Sequence, residues 1–133
     1  MSPRSFVWIS LGMSLVPIGG LMAVTLTTGC MKVSSSYKAE LDAANMFNTK
    51  CAACHGLEGN GKGPASDKCN PKPRDYTDKA WQATVTDESI EKTIVYGGAA
   101  VGKSAVMPSS PELAEKPEVV KALRKRIRGF AGL

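Results

Sequence analysis

Apolar positions divide the chain into stretches of different period. Between Arg4 and Lys32 no charged residue occurs, and Phe6 to Leu26 is mostly apolar, broken by Pro17, Gly19 and Gly20. Such a run has no polar face and is not the core of a small globular domain. From Tyr37 the spacing turns helical: Tyr37, Leu41, Ala43, Ala44, Phe47 and Cys51 share one broad face, with Lys38, Asp42, Asn45 and Thr49 opposite. This predicts an amphipathic helix over 37–51, with Met46 off its apolar face. Residues 56–78 are dense in Gly, Pro, Asn and Lys, which predicts no regular element. Thr86 followed by Asp87 and Glu88 marks a helix start, Ile90, Ile94 and Val95 face inward, and Gly97-Gly98 is the stop. Residues 101–111 read as a loop. A last helix begins near Pro117, with Val119, Val120, Leu123, Ile127 and Phe130 on one side and Lys121, Arg124, Lys125 and Arg128 on the other. No strand pattern or repeat stands out, so the fold class is all-α.

A chain of 133 residues has room for one domain. We divide it into 1–29, a signal peptide or membrane anchor, 30–36, a linker, and 37–133, the folded domain. The short cationic start, the apolar stretch and Thr27-Thr28-Gly29-Cys30 resemble a bacterial lipoprotein signal peptide, which implies a lipid on Cys30. An uncleaved anchor is the alternative, since about 20 apolar residues suffice to cross a bilayer. Either way the domain is expected to be membrane-anchored and to face the periplasm or another extracytoplasmic space.

The net charge is +5, and Lys121, Arg124, Lys125, Arg126 and Arg128 concentrate the excess in the last helix. A nucleic-acid partner is excluded, because it would need basic residues spread over a face with aromatics interleaved. The four basic residues behind the last helix complement its dipole; the alternative is that they hold the domain against anionic headgroups, at about 1 kcal/mol per contact.

Cys51-Ala52-Ala53-Cys54-His55 carries the chemistry. Two thiols three positions apart can add to the two vinyl groups of a haem while the adjacent imidazole reaches the iron. Zinc would want four ligands, yet His55 is the only histidine and Cys69 the only other cysteine after residue 30. A thioredoxin-like pair would want a βαβ pattern. The sixth ligand narrows by inventory: Met107 is the only methionine after the motif, and it sits in a loop stiffened by Pro108. Cofactor and metal are therefore one covalent haem c, with His55 and Met107 on iron.

Cys51 to His55, Gly61-Lys62-Gly63-Pro64 and Met107-Pro108 ahead of a final amphipathic helix resemble a small bacterial class I cytochrome c, over about 37–130. The resemblance implies a few helices wrapped around haem, with the first and last crossing at Ala43, where the family often has glycine. It implies that the Pro64 carbonyl accepts the second ring N–H of His55, the alternative being a simple loop proline. Tyr76 and Trp81 are read as donors to the haem propionates or as core residues. Cys69 is a leftover thiol, buried or open to an intermolecular disulfide.

The function expected is electron transfer, with redox donor and acceptor proteins as partners and no small-molecule substrate, so the chain is not read as an enzyme. Two alternatives stand beside it: a fixed haem subunit of a membrane respiratory or photosynthetic complex, and a haem enzyme or gas sensor with open iron.

Overall fold

In the computed structural model, which describes residues 34–132, the Ser34 hydroxyl accepts from the Tyr37 N–H at 3.4 Å and opens α1, Ser35–Met46. Ala39, Ala43 and Phe47 form the buried stripe, at i, i+4 and i+8. Tyr37 and Leu41, expected on that face, are 55% and 52% exposed. The reason is size. α1 packs chiefly against the last helix, and alanine at 39 and 43 lets the two backbones approach where a tyrosine or leucine would hold them apart.

The helix predicted to run unbroken through 37–51 instead widens over Phe47–Cys51, where the Ala52 N–H reaches back five residues to the Phe47 carbonyl. It then tightens into α2, Ala52–His55. The extra residue in that turn shifts everything after Phe47 around the helix axis. Phe47 stays in the core while Cys51 comes to a cavity wall.

Residues 56–78 are irregular as expected apart from one tight turn at Ser66–Lys68. The Asp78 carboxylate then accepts from the Ala80 and Trp81 N–H groups and starts a short helix that the periodicity did not predict, α3, Lys79–Thr84. α4, Asp87–Tyr96, begins at Thr86, whose hydroxyl accepts from the Ser89 N–H at 3.1 Å, and stops at Gly97, whose positive φ (77°) favours glycine. Both boundaries were legible. Tight turns at Ala99–Val101 and Pro111–Leu113 flank the next loop, and α5 spans Pro117–Gly129.

α5 buries Val119, Val120, Leu123 and Ile127. Phe47 meets Phe130 with ring centroids 5.2 Å apart, and the Arg126 guanidinium lies 4.9 Å over the Phe47 ring. The basic residues behind α5 are not a free stripe. Arg124 pairs with Asp87 and with Glu91 (3.1 Å), and Arg128 pairs with Asp87 (2.7 Å) and donates to the Gln82 and Val85 carbonyls. Lys121 meets Glu118 and Lys125 meets Glu40. All four basic residues have a carboxylate partner, and Lys121 and Lys125 keep exposed side chains. The arginine hydrogen bonds hold the Asp87 carboxyl below its ordinary value.

Gln82 joins three elements. Its amide donates to the Tyr76 carbonyl (2.8 Å) and the Ile127 carbonyl (2.9 Å), and its oxygen accepts from Arg128 (2.9 Å), all with the residue 3% exposed. Gln82→Leu keeps the bulk but strands two buried carbonyls and a guanidinium N–H. We expect a loss of about 2–4 kcal/mol, read as a lower urea midpoint at unchanged slope.

Candidate functional site

α2 is too short to stand alone, and its carbonyls are capped by the loop that follows. The Gly61 N–H donates to the His55 carbonyl (2.8 Å), Gly63 to Cys54 (3.0 Å) and Ala65 to Ala53 (2.8 Å). A Cβ at Gly63 would collide with the Ala52 and Ala53 carbonyls, so this lacing requires glycine. The Tyr76 N–H then donates to the Gly59 carbonyl at 2.7 Å, which returns the loop to the helix it left. The motif and the segment 73–76 are thereby brought face to face.

His55 is 9% exposed. Its Nδ1 lies 3.1 Å from the Arg74 carbonyl, its Nε2 lies 3.1 Å from the Tyr76 hydroxyl, and the two rings stack with centroids 4.5 Å apart. One tautomer satisfies both contacts: Nδ1–H donates to Arg74, and Nε2 accepts from Tyr76. Burial lowers the pKa of His55, partly countered by the Arg74 carbonyl, and burial pushes that of Tyr76 up. The imidazole is therefore neutral and the phenol protonated at pH 7. The carbonyl partner expected for His55 was that of Pro64. Here it is Arg74, because the 61–65 loop turns its amides toward α2 and leaves Pro64 exposed.

Cys51, Cys54, His55, Tyr76, Trp81 and Met107 line one cavity of about 1070 Å³, at the upper end of cofactor-sized sites. Burial raises the pKa of the Cys51 thiol, opposed by Lys50, and burial followed by the neighbouring Cys69 raises that of Cys54. Both thiols are protonated at neutral pH. Tyr76 is buried with Trp81 tilted against it at 5.7 Å, and the Arg74 guanidinium stands 5.5 Å over the Trp81 ring.

Met107 comes to the cavity from a loop pinned by its backbone. The Gly98 N–H donates to the Met107 carbonyl (3.0 Å), Met107 N–H to Ser104 (3.2 Å), and Ser110 N–H to the Val95 carbonyl (2.9 Å). A Cβ at Gly98 would run into the Ser104 carbonyl. The glycine pair read as a helix stop is also what lets this loop lie on the end of α4.

Two residues set aside in the sequence also reach the cavity. Met46 lines it from the last turn of α1. Cys69 lines it too, buried beside Cys54. Cys30 lies outside the described residues, as do residues 1–33. Among the described residues no three His, Cys, Asp or Glu side chains converge as a zinc site would require, and no helix is long and apolar enough to cross a membrane.

The donor set suits a covalently held haem: two thiols and a neutral imidazole from one short segment, a thioether from another, and a cavity with apolar walls including Ile90, Leu123 and Ile127. A family model described as cytochrome c matches residues 41–122, a span containing all four donors. No curated protein matches the chain.

Proposed function

This chain belongs to the cytochrome c family, and on that premise we propose that it carries electrons one at a time through a single haem c, which Cys51 and Cys54 would bond and whose iron His55 and Met107 would hold. The observation that carries this reading is that one cavity is lined by both thiols, the imidazole and the thioether. When bound, haem c supplies an iron that exchanges one electron with donor and acceptor proteins.

The chain's own residues position and tune that group. Arg74 holds the Nδ1 proton of His55 and so leaves the Nε2 lone pair as the donor, the arrangement by which a carbonyl orients a ligating imidazole and makes it more basic. The Tyr76 hydroxyl occupies that lone pair at 3.1 Å and would have to give it up for His55 to hold the iron. Trp81, with Arg74 over its ring, lines the same wall. Met107 offers a soft sulfur, which favours ferrous iron and raises the potential relative to a second imidazole. If His55 and Met107 both held the iron, neither would leave it open to a substrate. This supports a carrier over an enzyme or gas sensor.

Absorption spectra of the purified full-length chain, oxidised and reduced, test the reading. A reduced c-type spectrum that stays with the polypeptide after denaturation and solvent extraction is expected. Haem that is extracted, or never present, would overturn it.

We also propose that the domain is tethered on the extracytoplasmic side through a lipid on Cys30, supported by the sequence ahead of that residue. Cys30→Ser is then expected to abolish lipid incorporation and to leave most of the chain as an unprocessed precursor, seen by metabolic labelling and gel mobility. Normal processing with retained membrane partition would instead mean an uncleaved anchor.

A further inference from the structure

Cys69 is a neighbour of the attachment motif. Its Sγ lies 3.9 Å from the Cys54 Sγ and 3.6 Å from the Ala65 carbonyl, and the residue is 9% exposed. The pairing is built by the backbone. The segment ahead of Cys69 is laced to α2 through Gly63 to Cys54 and Ala65 to Ala53, and the turn at Ser66–Lys68 delivers Cys69 to the same side as Cys54. Cys54 therefore has two thiol neighbours, one in its own helical segment and one from the loop.

We propose that Cys54 and Cys69 form a disulfide in chains not yet bonded to haem, and that this bond closes the attachment site until it is reduced. The masking role rests on the haem reading above; the disulfide does not. Bridging requires the two sulfurs to close from 3.9 Å to about 2.0 Å, a displacement within reach of a side-chain rotation at Cys54, which is only half-buried. The oxidant is an organic disulfide, small or carried by a dithiol oxidoreductase. The thiolate of one cysteine attacks it, forming a mixed disulfide and releasing one thiol. The second cysteine attacks the mixed disulfide, forming the Cys54–Cys69 bond and releasing the other thiol. Two S–H groups are lost and two are gained by the oxidant. Addition of a cysteine across a vinyl group consumes its S–H proton, and a disulfide has none to give. Attachment at Cys54 therefore waits for a dithiol reductant to run the exchange backwards.

The test uses the full-length chain recovered with haem attachment blocked, equilibrated with oxidised glutathione, alkylated and digested with trypsin without reduction. Cleavage after Lys50, Lys62, Lys68 and Arg74 leaves Cys51 and Cys54 in peptide 51–62 and Cys69 in peptide 69–74. We expect these peptides joined through Cys54, with Cys51 alkylated, in most of the chain, and the joined species lost in Cys69→Ser. Peptide 51–62 bridged internally with Cys69 alkylated, or all three cysteines alkylated, would overturn the disulfide. For the masking role, parent and Cys69→Ser are compared for covalent haem per chain with attachment permitted and reductant limiting. More haem on Cys69→Ser is expected, and equal or less would overturn the role. Absence of covalent haem from both at full reductant would instead overturn the haem reading and leave the peptide map standing.

Discussion

Met107→Ala is expected to bind carbon monoxide in its reduced form at neutral pH, as the parent chain is expected not to, and to lose on the order of 0.2 V of reduction potential, a fraction of the roughly 0.8 V that axial ligands span. The direction follows from softness: thioether sulfur stabilises ferrous iron, and whatever replaces it, water or nothing, does so less. The fold should persist, because the loop is held by the backbone of residue 107, which donates to Ser104 and accepts from Gly98, and truncating the side chain touches neither bond. Circular dichroism of the variant should therefore match the parent while spectrum and potential change. An unaltered spectrum and potential would remove Met107 as ligand and point to Met46, the other thioether among the described cavity-lining residues.

The second large effect is expected from replacing Cys51 and Cys54 together by serine. Covalent haem should fall to the background of a haem stain, and the chain should melt at a lower temperature than the parent. The apolar walls formed by Ile90, Leu123 and Ile127 lose their cover, while the bonds that lace the 56–76 loop to the attachment segment remain. An unchanged melting temperature in the doubly substituted chain would refute a contribution of the bound group to stability.

Much of this was readable from the chain. Thr86, Asp87 and Gly97 mark the ends of α4 because capping is local: a hydroxyl, a carboxylate and a positive φ each act within four residues. The inward side of α5 was readable because its apolar spacing is regular. What escaped depends on contacts distant in sequence. Nothing in Phe47–Cys51 announces an added residue in the turn, so one unbroken helix was expected over 37–51. Tyr37 and Leu41 outrank alanine in hydrophobicity, yet the partner helix selects the alanines for closeness. Arg74 has no motif, and its backbone carbonyl finds His55 only because the 56–76 loop closes on itself. The pairing of Cys69 with Cys54, fifteen positions apart, rests on the same closure. Gln82 was likewise invisible, being an ordinary polar residue until three elements meet around it. Arg124 and Arg128, read as complements to the helix dipole or as headgroup contacts, turn toward acids on α4 that a helical wheel of α5 alone does not contain.

The pairing of α1 with α5 joins the first and last of the described helices, and the contact between Glu40 and Lys125 spans 85 positions. A loop of that length is slow to close, since its entropy must be met before any contact rewards it. A chain that emerges N-terminus first presents Cys51 to His55 before α5 has emerged to cover the other face of α1. For that interval the buried stripe of Ala39, Ala43 and Phe47 has no partner, and the attachment segment is open to whatever handles nascent chains. The topology thus orders events in time, with modification able to come first and the closing helix last.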